Sequence, residues 1–395
     1  MTRSKDAAIE VLRGLALVLM VAGHVIGSDA TLGIQVGDGS LWRMSYVALE
    51  DLRMPLFTAL SGYVYALRPV VGRPDYPTLV RGKVRRLLVP LLTVGALTFA
   101  MQLVVPGVHR RPDPADAWRI LVFPFQHLWF LQSIFLIFVL VGLLDAVGAL
   151  DRLRHWGPVF AVACVLHVVL VLPEDDDVFS INGLARLLPF FLLGMALHRF
   201  RNVLDQRRWL RWSLPVFALM YGVRLTAILT GAELPTLAAR ALSLGVGVAG
   251  LVSLLLLRHA VKSATLAWLG PFAFGVYLLH VLGAAGARTM LERLGFEADP
   301  LIFAVGLAAG IGLPVLFQLM FGRFAVVSRL ILGQKPESRP DQTRAVPDVR
   351  REDGRADPVV GEAAQPVPPP GSCRGNTPAA AAAGEPSSGT SAAKA

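Results

Sequence analysis

Glu10, Arg13 and His24 lie within a stretch of sequence that is otherwise apolar enough to enter a bilayer. An α-helix has about 3.6 residues per turn and rises about 1.5 Å per residue, so Arg13 and His24 share a face and lie roughly 16 Å apart. Ionisable residues inside a membrane are costly and usually face a bundle interior or a wet cavity. The stretch therefore predicts a helix that forms one wall of an internal polar site.

Other segments supply polar or aromatic side chains that a membrane topology places at the depth of His24. They are Glu50, Asp51, Arg53, His127, Trp129, Tyr277 and His280. Histidine suits a general base because its ordinary pKa is about 6.5. Some of these residues also have a simpler interpretation: Trp129 as an interfacial anchor, Glu50 and Asp51 as a solvated helix end, and His127 as a water-exposed side chain.

A run of cations follows the second apolar stretch and contains Lys83, Arg85 and Arg86. Lys83 and Arg86 are one helical turn apart, so paired cations there would grip a phosphorylated cofactor. The alternative is charge that only orients the chain in the membrane. That alternative is the preferred interpretation of Arg207 and Arg208 in the next large basic loop.

An acidic run, residues 174–177, contains an Asp-x-Asp pattern. Such carboxylates hold a divalent metal in some glycosyltransferases, but a solvated loop is the preferred interpretation of the run. The two cysteines, Cys164 and Cys373, provide no disulfide framework and no metal-ligand spacing. We therefore expect no metal site.

The composition indicates what must position these residues. With 54% hydrophobic and 17% charged residues and a mean hydropathy of +0.56, the chain is too apolar for a soluble domain. We predict an all-α, polytopic membrane helical bundle of about ten transmembrane helices. The predicted spans are 9–27, 46–67, 84–105, 127–148, 156–173, 183–199, 211–230, 239–257, 265–286 and 301–323.

Lys and Arg residues are concentrated in the alternate loops that become cytoplasmic when the N-terminus is inside. This bias predicts that both the N-terminus and the C-terminus are cytoplasmic and that the protein is a multi-pass protein of the cell membrane. The bilayer is thus the first expected partner, and the net charge of +10 requires no nucleic acid. We expect an integral-membrane domain over residues 1–335 and a disordered, Pro/Ala/Gly-rich cytoplasmic tail over residues 336–395.

Taken together, several short segments resemble the acyltransferase-3 superfamily of integral-membrane carbohydrate O-acyltransferases. The matching segments, in family order, are Leu12-Arg13-Gly14-Leu15-Ala16, Gly23-His24, Met54-Pro55-Leu56-Phe57, Ser61-Gly62-Tyr63, Lys83 to Pro90, His127-Leu128-Trp129-Phe130-Leu131, Leu188 to Gly194, and Tyr277-Leu278-Leu279-His280. The resemblance covers residues 9–323. It departs from the family pattern at Glu10, often Asp, at Arg53, often His, and at Thr58, often Phe.

The resemblance implies transfer of an acyl group, with acetyl the first expectation, from acyl-CoA to a hydroxyl of a carbohydrate or glycolipid. Acyl-CoA is then a donor substrate, and no cofactor is bound permanently. Arg13, Lys83, Arg85 and Arg86 would bind the donor, and His127 and Trp129 the acceptor.

In this hypothesis His24 is the base, Glu50 or Asp51 orients it, and Arg53 or Tyr277 stabilises the oxyanion. His280 completes the catalytic layer, and a covalent acyl-His24 intermediate is a variant of the same hypothesis. Arg53 in place of His also suggests an anionic acyl group or acceptor. A transporter or flippase is the alternative from another class, although residues 160–323 show no clear repeat of residues 1–150.

Overall fold

The computed structural model describes residues 6–104, 112–203 and 206–335, and the regular elements within these ranges are all helical. The helices are α1 (Ala7–Ile26), α2 (Leu41–Tyr65), α3 (Tyr76–Lys83), α4 (Val89–Val104), α5 (Arg119–Val122), α6 (Trp129–Ala146), α7 (Leu153–Val169), α8 (Ile181–Arg199), α9 (Gln206–Thr230), α10 (Thr236–Leu256), α11 (Ala264–Leu269), α12 (Ala273–Arg293) and α13 (Asp299–Phe321). The predicted all-α class is confirmed. The predicted tail, with Cys373, lies outside the described residues.

Eight helical segments of the described chain are long and apolar enough to cross a membrane. The two remaining predicted spans correspond to α2, which carries Glu50, Asp51 and Arg53, and to α7, which is apolar but has only 17 residues. A multi-pass helical protein is thus supported. The number of ten spans and the cytoplasmic placement of both ends remain predictions.

Helix α1 packs against α2, α11, α12 and α13. Its N-terminus is capped by the Asp6 carboxylate, which accepts a hydrogen bond from the Ala8 amide at 3.1 Å. At the other end the Arg43 guanidinium donates to the carbonyl oxygen of Gly27. Gly14 allows close approach of α11, because a Cβ at this position would overlap the Leu266 carbonyl. The helix that carries Arg13 and His24 is therefore held on several sides and at both ends.

Helix α2 packs closely against α8 at two glycines, one on each helix. A Cβ on Gly62 would overlap the Phe191 carbonyl, and a Cβ on Gly194 would overlap the Ala59 carbonyl. Small residues let membrane helices approach until their backbones touch. This crossing fixes α2, and with it Arg53, relative to the rest of the bundle.

The basic run lies inside a continuous helical path. Helix α3 ends at Lys83, a π-helical turn spans Val84–Leu88, and α4 begins at Val89. The helical path therefore extends on the N-terminal side of the predicted span 84–105. Single π-turns within helices are frequent at functional sites.

Candidate active site

Three histidines from distant parts of the sequence meet inside the bundle. His24 lies on α1, His127 in the turn before α6, and His280 on α12. The His280 ring centroid lies 4.7 Å from that of His24 and 5.0 Å from that of His127, and the remaining pair is 6.2 Å apart. His280 is fully buried and His127 nearly so, whereas His24 is exposed. We call these three residues the histidine cluster, and His24 is its accessible member.

The tautomer of His24 follows from its own helix. Its Nδ1 lies 2.9 Å from the carbonyl oxygen of Met20, one turn earlier. A carbonyl oxygen only accepts hydrogen bonds, so Nδ1 is the donor and carries the proton. In the neutral ring Nε2 then bears a free lone pair. This tautomer leaves Nε2 of the exposed His24 as a hydrogen-bond and proton acceptor.

His127 and His280 are fixed in the same way by backbone carbonyls. His280 donates through Nδ1 to the Tyr277 carbonyl at 2.9 Å, and His127 donates through Nε2 to the Leu278 carbonyl at 3.2 Å. Their other ring nitrogens, Nε2 of His280 and Nδ1 of His127, are buried without a hydrogen-bond partner among the described residues. Buried polar atoms are normally paired, so such exceptions call for an explanation.

The turn that carries His127 is held from two directions. Gln126 has a φ of 46°, in the left-handed region that non-glycine residues seldom adopt. The Tyr277 hydroxyl donates to the His127 carbonyl at 2.6 Å. Tyr277 was predicted as a possible oxyanion donor, but its proton is already committed to this bond. Its observed contact is that of a positioning residue.

Arg53 lies directly beside His24. A Cβ on Gly23 would overlap Nη1 of Arg53, and the Arg53 charge acts on the His24 ring. The Arg53 side chain is 6% exposed, and its Cζ lies 4.0 Å from the ring centroid of Tyr46. Among the described residues Arg53 makes no ion pair, and its Nε is buried without a hydrogen-bond acceptor. Tyr46 was missed, although seven residues before Arg53 places it on the same helix face.

Glu50 and Asp51 have partners elsewhere. Glu50 pairs with Arg186 of α8 at 2.9 Å. Asp51 accepts from Arg224 of α9 at 3.1 Å and from the Ser243 hydroxyl of α10 at 2.6 Å.

The expectation that one of these carboxylates orients His24 is therefore not met, and Met20 takes that role. Equal depth in a membrane does not fix direction around a helix. Asp51 precedes Arg53 by two residues and points about 200° away from it.

Trp129 also faces away from the histidine cluster. Its ring packs on α8, where a Cβ added to Gly183 would lie 2.9 Å from Cε3 of Trp129. Its ring contact within the described chain is with Phe130. Contact with an acceptor stays a prediction for Trp129 and for His127.

The basic residues predicted to hold the donor lie close together. Arg86 lies within electrostatic range of Arg13, Arg85 and Lys83. Glu10 pairs with Arg13 at 2.8 Å. It is the one carboxylate that pairs with these cations within the described residues. We call Arg13, Lys83, Arg85 and Arg86 the cationic cluster, and its charge is unbalanced.

Aromatic rings and a backbone carbonyl support two members of the cationic cluster. The Lys83 ammonium lies 3.2 Å from the ring centroid of Phe138, and Cζ of Arg86 lies 4.3 Å from that of Phe274. Arg86 also donates to the Leu332 carbonyl at 3.2 Å. These contacts hold the cations in place without neutralising them.

The acidic run is a short turn. Asp177 accepts a hydrogen bond from the Asn182 amide at 2.8 Å, and Asp175 lies 3.7 Å from Arg119. Within the ranges that the structure describes, no group of three or more His, Cys, Asp or Glu is arranged to hold a metal ion. The observed contacts of the run are those of a structural turn.

A family model described as an acyltransferase domain, acyltransferase-3, matches residues 6–319. The match includes the histidine cluster, Arg53 and the whole cationic cluster. No curated protein and no solved structure matches the chain.

Proposed function

Because the chain belongs to the acyltransferase-3 family, we propose that it is an O-acyltransferase of the cell membrane. Acyl transfer and a multi-helix membrane-type fold follow from the family and the structure. The finer proposal is that an acyl group, acetyl in the simplest case, passes from acyl-CoA to a hydroxyl of a carbohydrate or glycolipid. The observation that carries it is the free Nε2 of His24 beside the unpaired guanidinium of Arg53.

The cationic cluster supports an acyl-CoA donor. Coenzyme A carries several phosphate charges, and Arg and Lys are the residues that bind phosphate through charge-assisted hydrogen bonds. Arg13 lies about three helical turns before His24, or roughly 16 Å. In the proposal the phosphates stay at the cationic cluster while the acyl arm extends along α1 toward His24.

In the proposed reaction Nε2 of His24 accepts the proton of the acceptor hydroxyl as its oxygen attacks the thioester carbonyl carbon. The carbonyl electrons move onto its oxygen, and the resulting negative charge lies beside Arg53. When the carbonyl re-forms, the carbon–sulfur bond breaks. The proton on His24 then passes to the CoA sulfur, which leaves the base ready for another cycle.

The test of the base is His24→Ala. We expect acceptor-dependent release of free CoA to fall by about 10²- to 10⁴-fold, the usual contribution of general base catalysis. His155→Ala is the matched control, because His155 is exposed and lies on α7, away from the cluster. Full activity of His24→Ala in isolated membranes, at equal protein level, would overturn the proposal.

The donor site is tested by the double variant Lys83→Ala with Arg86→Ala. We expect the apparent KM for acetyl-CoA to rise about tenfold or more, since two phosphate contacts are lost, while the KM for the acceptor changes little. Arg207→Ala with Arg208→Ala is the control, because these residues lie in the first turn of α9 and are not members of the cationic cluster. An unchanged KM for acetyl-CoA in the first variant would remove the cationic cluster from the donor site.

A further inference from the structure

We infer that Arg53 binds a carboxylate carried by the substrate, so that this acyltransferase prefers an anionic acyl group or an anionic acceptor. The inference rests on the proposed function and deepens it. It concerns the substrate class, whereas acyl transfer at His24 would proceed with neutral or anionic substrates.

The first support is the charge of Arg53 itself. A guanidinium stays protonated in proteins, so burial cannot neutralise it. Removing one charge from water without a partner is strongly unfavourable. Arg53 is 6% exposed and has no carboxylate partner among the described residues. A permanent anion supplied by the substrate would offset that cost.

The second support is the contact between Arg53 and an aromatic ring. Cζ of Arg53 lies over the Tyr46 ring, 4.0 Å from the ring centroid. This contact with an aromatic ring uses none of the paired N–H groups with which a guanidinium matches the two oxygens of a carboxylate. The hydrogen-bond donors of Arg53 are therefore left for a ligand.

The third support is the position of Arg53 relative to the base. Its Nη1 lies against Gly23, the residue next to His24. A carboxylate bound there would be only a few bonds from a carbonyl or hydroxyl at Nε2 of His24. A dicarboxylic acyl group or an acidic sugar has this spacing.

Other arginines of the outer layer differ from Arg53. Arg186 pairs with Glu50 at 2.9 Å, and Arg224 with Asp51 at 3.1 Å. Each of these two guanidiniums is already paired with a carboxylate of the protein. Of these three arginines, Arg53 beside His24 is therefore the one without a carboxylate partner among the described residues.

The experiment compares neutral and anionic ligands of equal size. Binding of butyryl-CoA and succinyl-CoA, and of octyl β-glucoside and octyl β-glucuronide, is measured by calorimetry with the purified full chain in detergent. We expect the carboxylate member of at least one pair to bind about tenfold or more tightly, and Arg53→Gln to abolish that preference. The CoA pair reports an anionic acyl group, and the glycoside pair an anionic acceptor.

Two further variants sharpen the comparison. Arg53→Lys keeps the charge but loses the paired N–H groups, so part of the preference should remain. Arg186→Gln removes an arginine of the same layer that is already paired, and it should leave the preference intact.

Equal binding within both pairs, or a preference that survives Arg53→Gln, would overturn the inference. The inference would also be overturned if Arg53→Gln lowered kcat equally for butyryl-CoA and succinyl-CoA and left both affinities unchanged. That result is expected of a residue that contacts only the oxyanion. If neither CoA ester binds, the proposed donor is wrong, and the inference then depends on the glycoside pair alone.

Discussion

Arg53 and Arg199 are two arginines of the bundle with opposite surroundings. Arg199 donates to both oxygens of the buried Asp145 carboxylate at 2.6 and 2.8 Å, and Asp145 also accepts from the Tyr65 hydroxyl at 2.7 Å. Within the part of the chain that the structure describes, Arg53 lies over the Tyr46 ring and has no carboxylate partner. The Arg199 guanidinium is neutralised by Asp145, and together with Tyr65 this ion pair joins α2, α6 and α8. The Arg53 guanidinium has no such partner, and it lies where we propose that substrate binds.

The same substitution at both arginines gives the largest expected contrast. Arg199→Met leaves Asp145 buried without its ion pair and should lower the free energy of unfolding by about 3–5 kcal/mol. Arg53→Met removes an uncompensated charge, so its unfolding temperature in detergent should equal or exceed that of the wild type. Thermal unfolding measures both, and a large loss of stability in Arg53→Met would mean that Arg53 is paired.

Tyr65→Phe tests the same hydrogen-bonded group, Arg199, Asp145 and Tyr65, with a smaller change. The variant loses a hydrogen bond to a charged acceptor, Asp145, and we expect about 1.5–3 kcal/mol less stability. Acyl transfer by the folded fraction should be unchanged, because Tyr65 lies far along α2 from Arg53. A specific loss of activity would contradict the separation of the two regions.

Tyr277→Phe is the corresponding change beside the histidine cluster. Its hydroxyl donates to a neutral carbonyl, that of His127, so the expected loss is about 0.5–1.5 kcal/mol. We also expect a lower kcat, because the turn that carries His127 loses one of its supports. Unfolding and CoA release, measured on the same preparation, should therefore rank Tyr65→Phe and Tyr277→Phe in opposite orders.

Gly23→Ala has the smallest expected effect on stability. The added methyl group meets the end of the Arg53 side chain, which can move, so we expect a loss of about 1 kcal/mol or less. The displaced guanidinium should lower activity nonetheless. Gly222→Ala is the control, since a Cβ there has no atom within 4 Å, and it should change neither stability nor activity. Unaltered activity of Gly23→Ala would place Arg53 outside the site.

Regular periodicity explains what the sequence predicted well. The apolar stretches gave the helices, and the spacing along α1 placed Glu10, Arg13 and His24 on one face. Depth in the membrane correctly grouped His24, His127 and His280. The inferences about helices depend on helix geometry, which is nearly independent of tertiary context, and the grouping of the histidines depends on the predicted topology.

The features that the sequence did not predict are the directions of side chains around their helices and the hydrogen-bond partners of those side chains. Glu50 and Asp51 share the depth of His24 but face α8, α9 and α10. The turn at Gln126 has an unusual φ that no residue pattern predicted. The hydrogen bond from His24 to Met20 uses a backbone carbonyl, so no side-chain motif encodes it. The partners of Glu50 and Asp51 depend on how helices rotate against one another, which periodicity does not determine.

That backbone contact has a consequence for how the protein can diversify. The group that orients His24 is part of the main chain of α1, so no side-chain replacement deletes it. On the proposed mechanism, side chains that line the acceptor or donor path can then vary over evolution while His24 keeps the tautomer that a base requires.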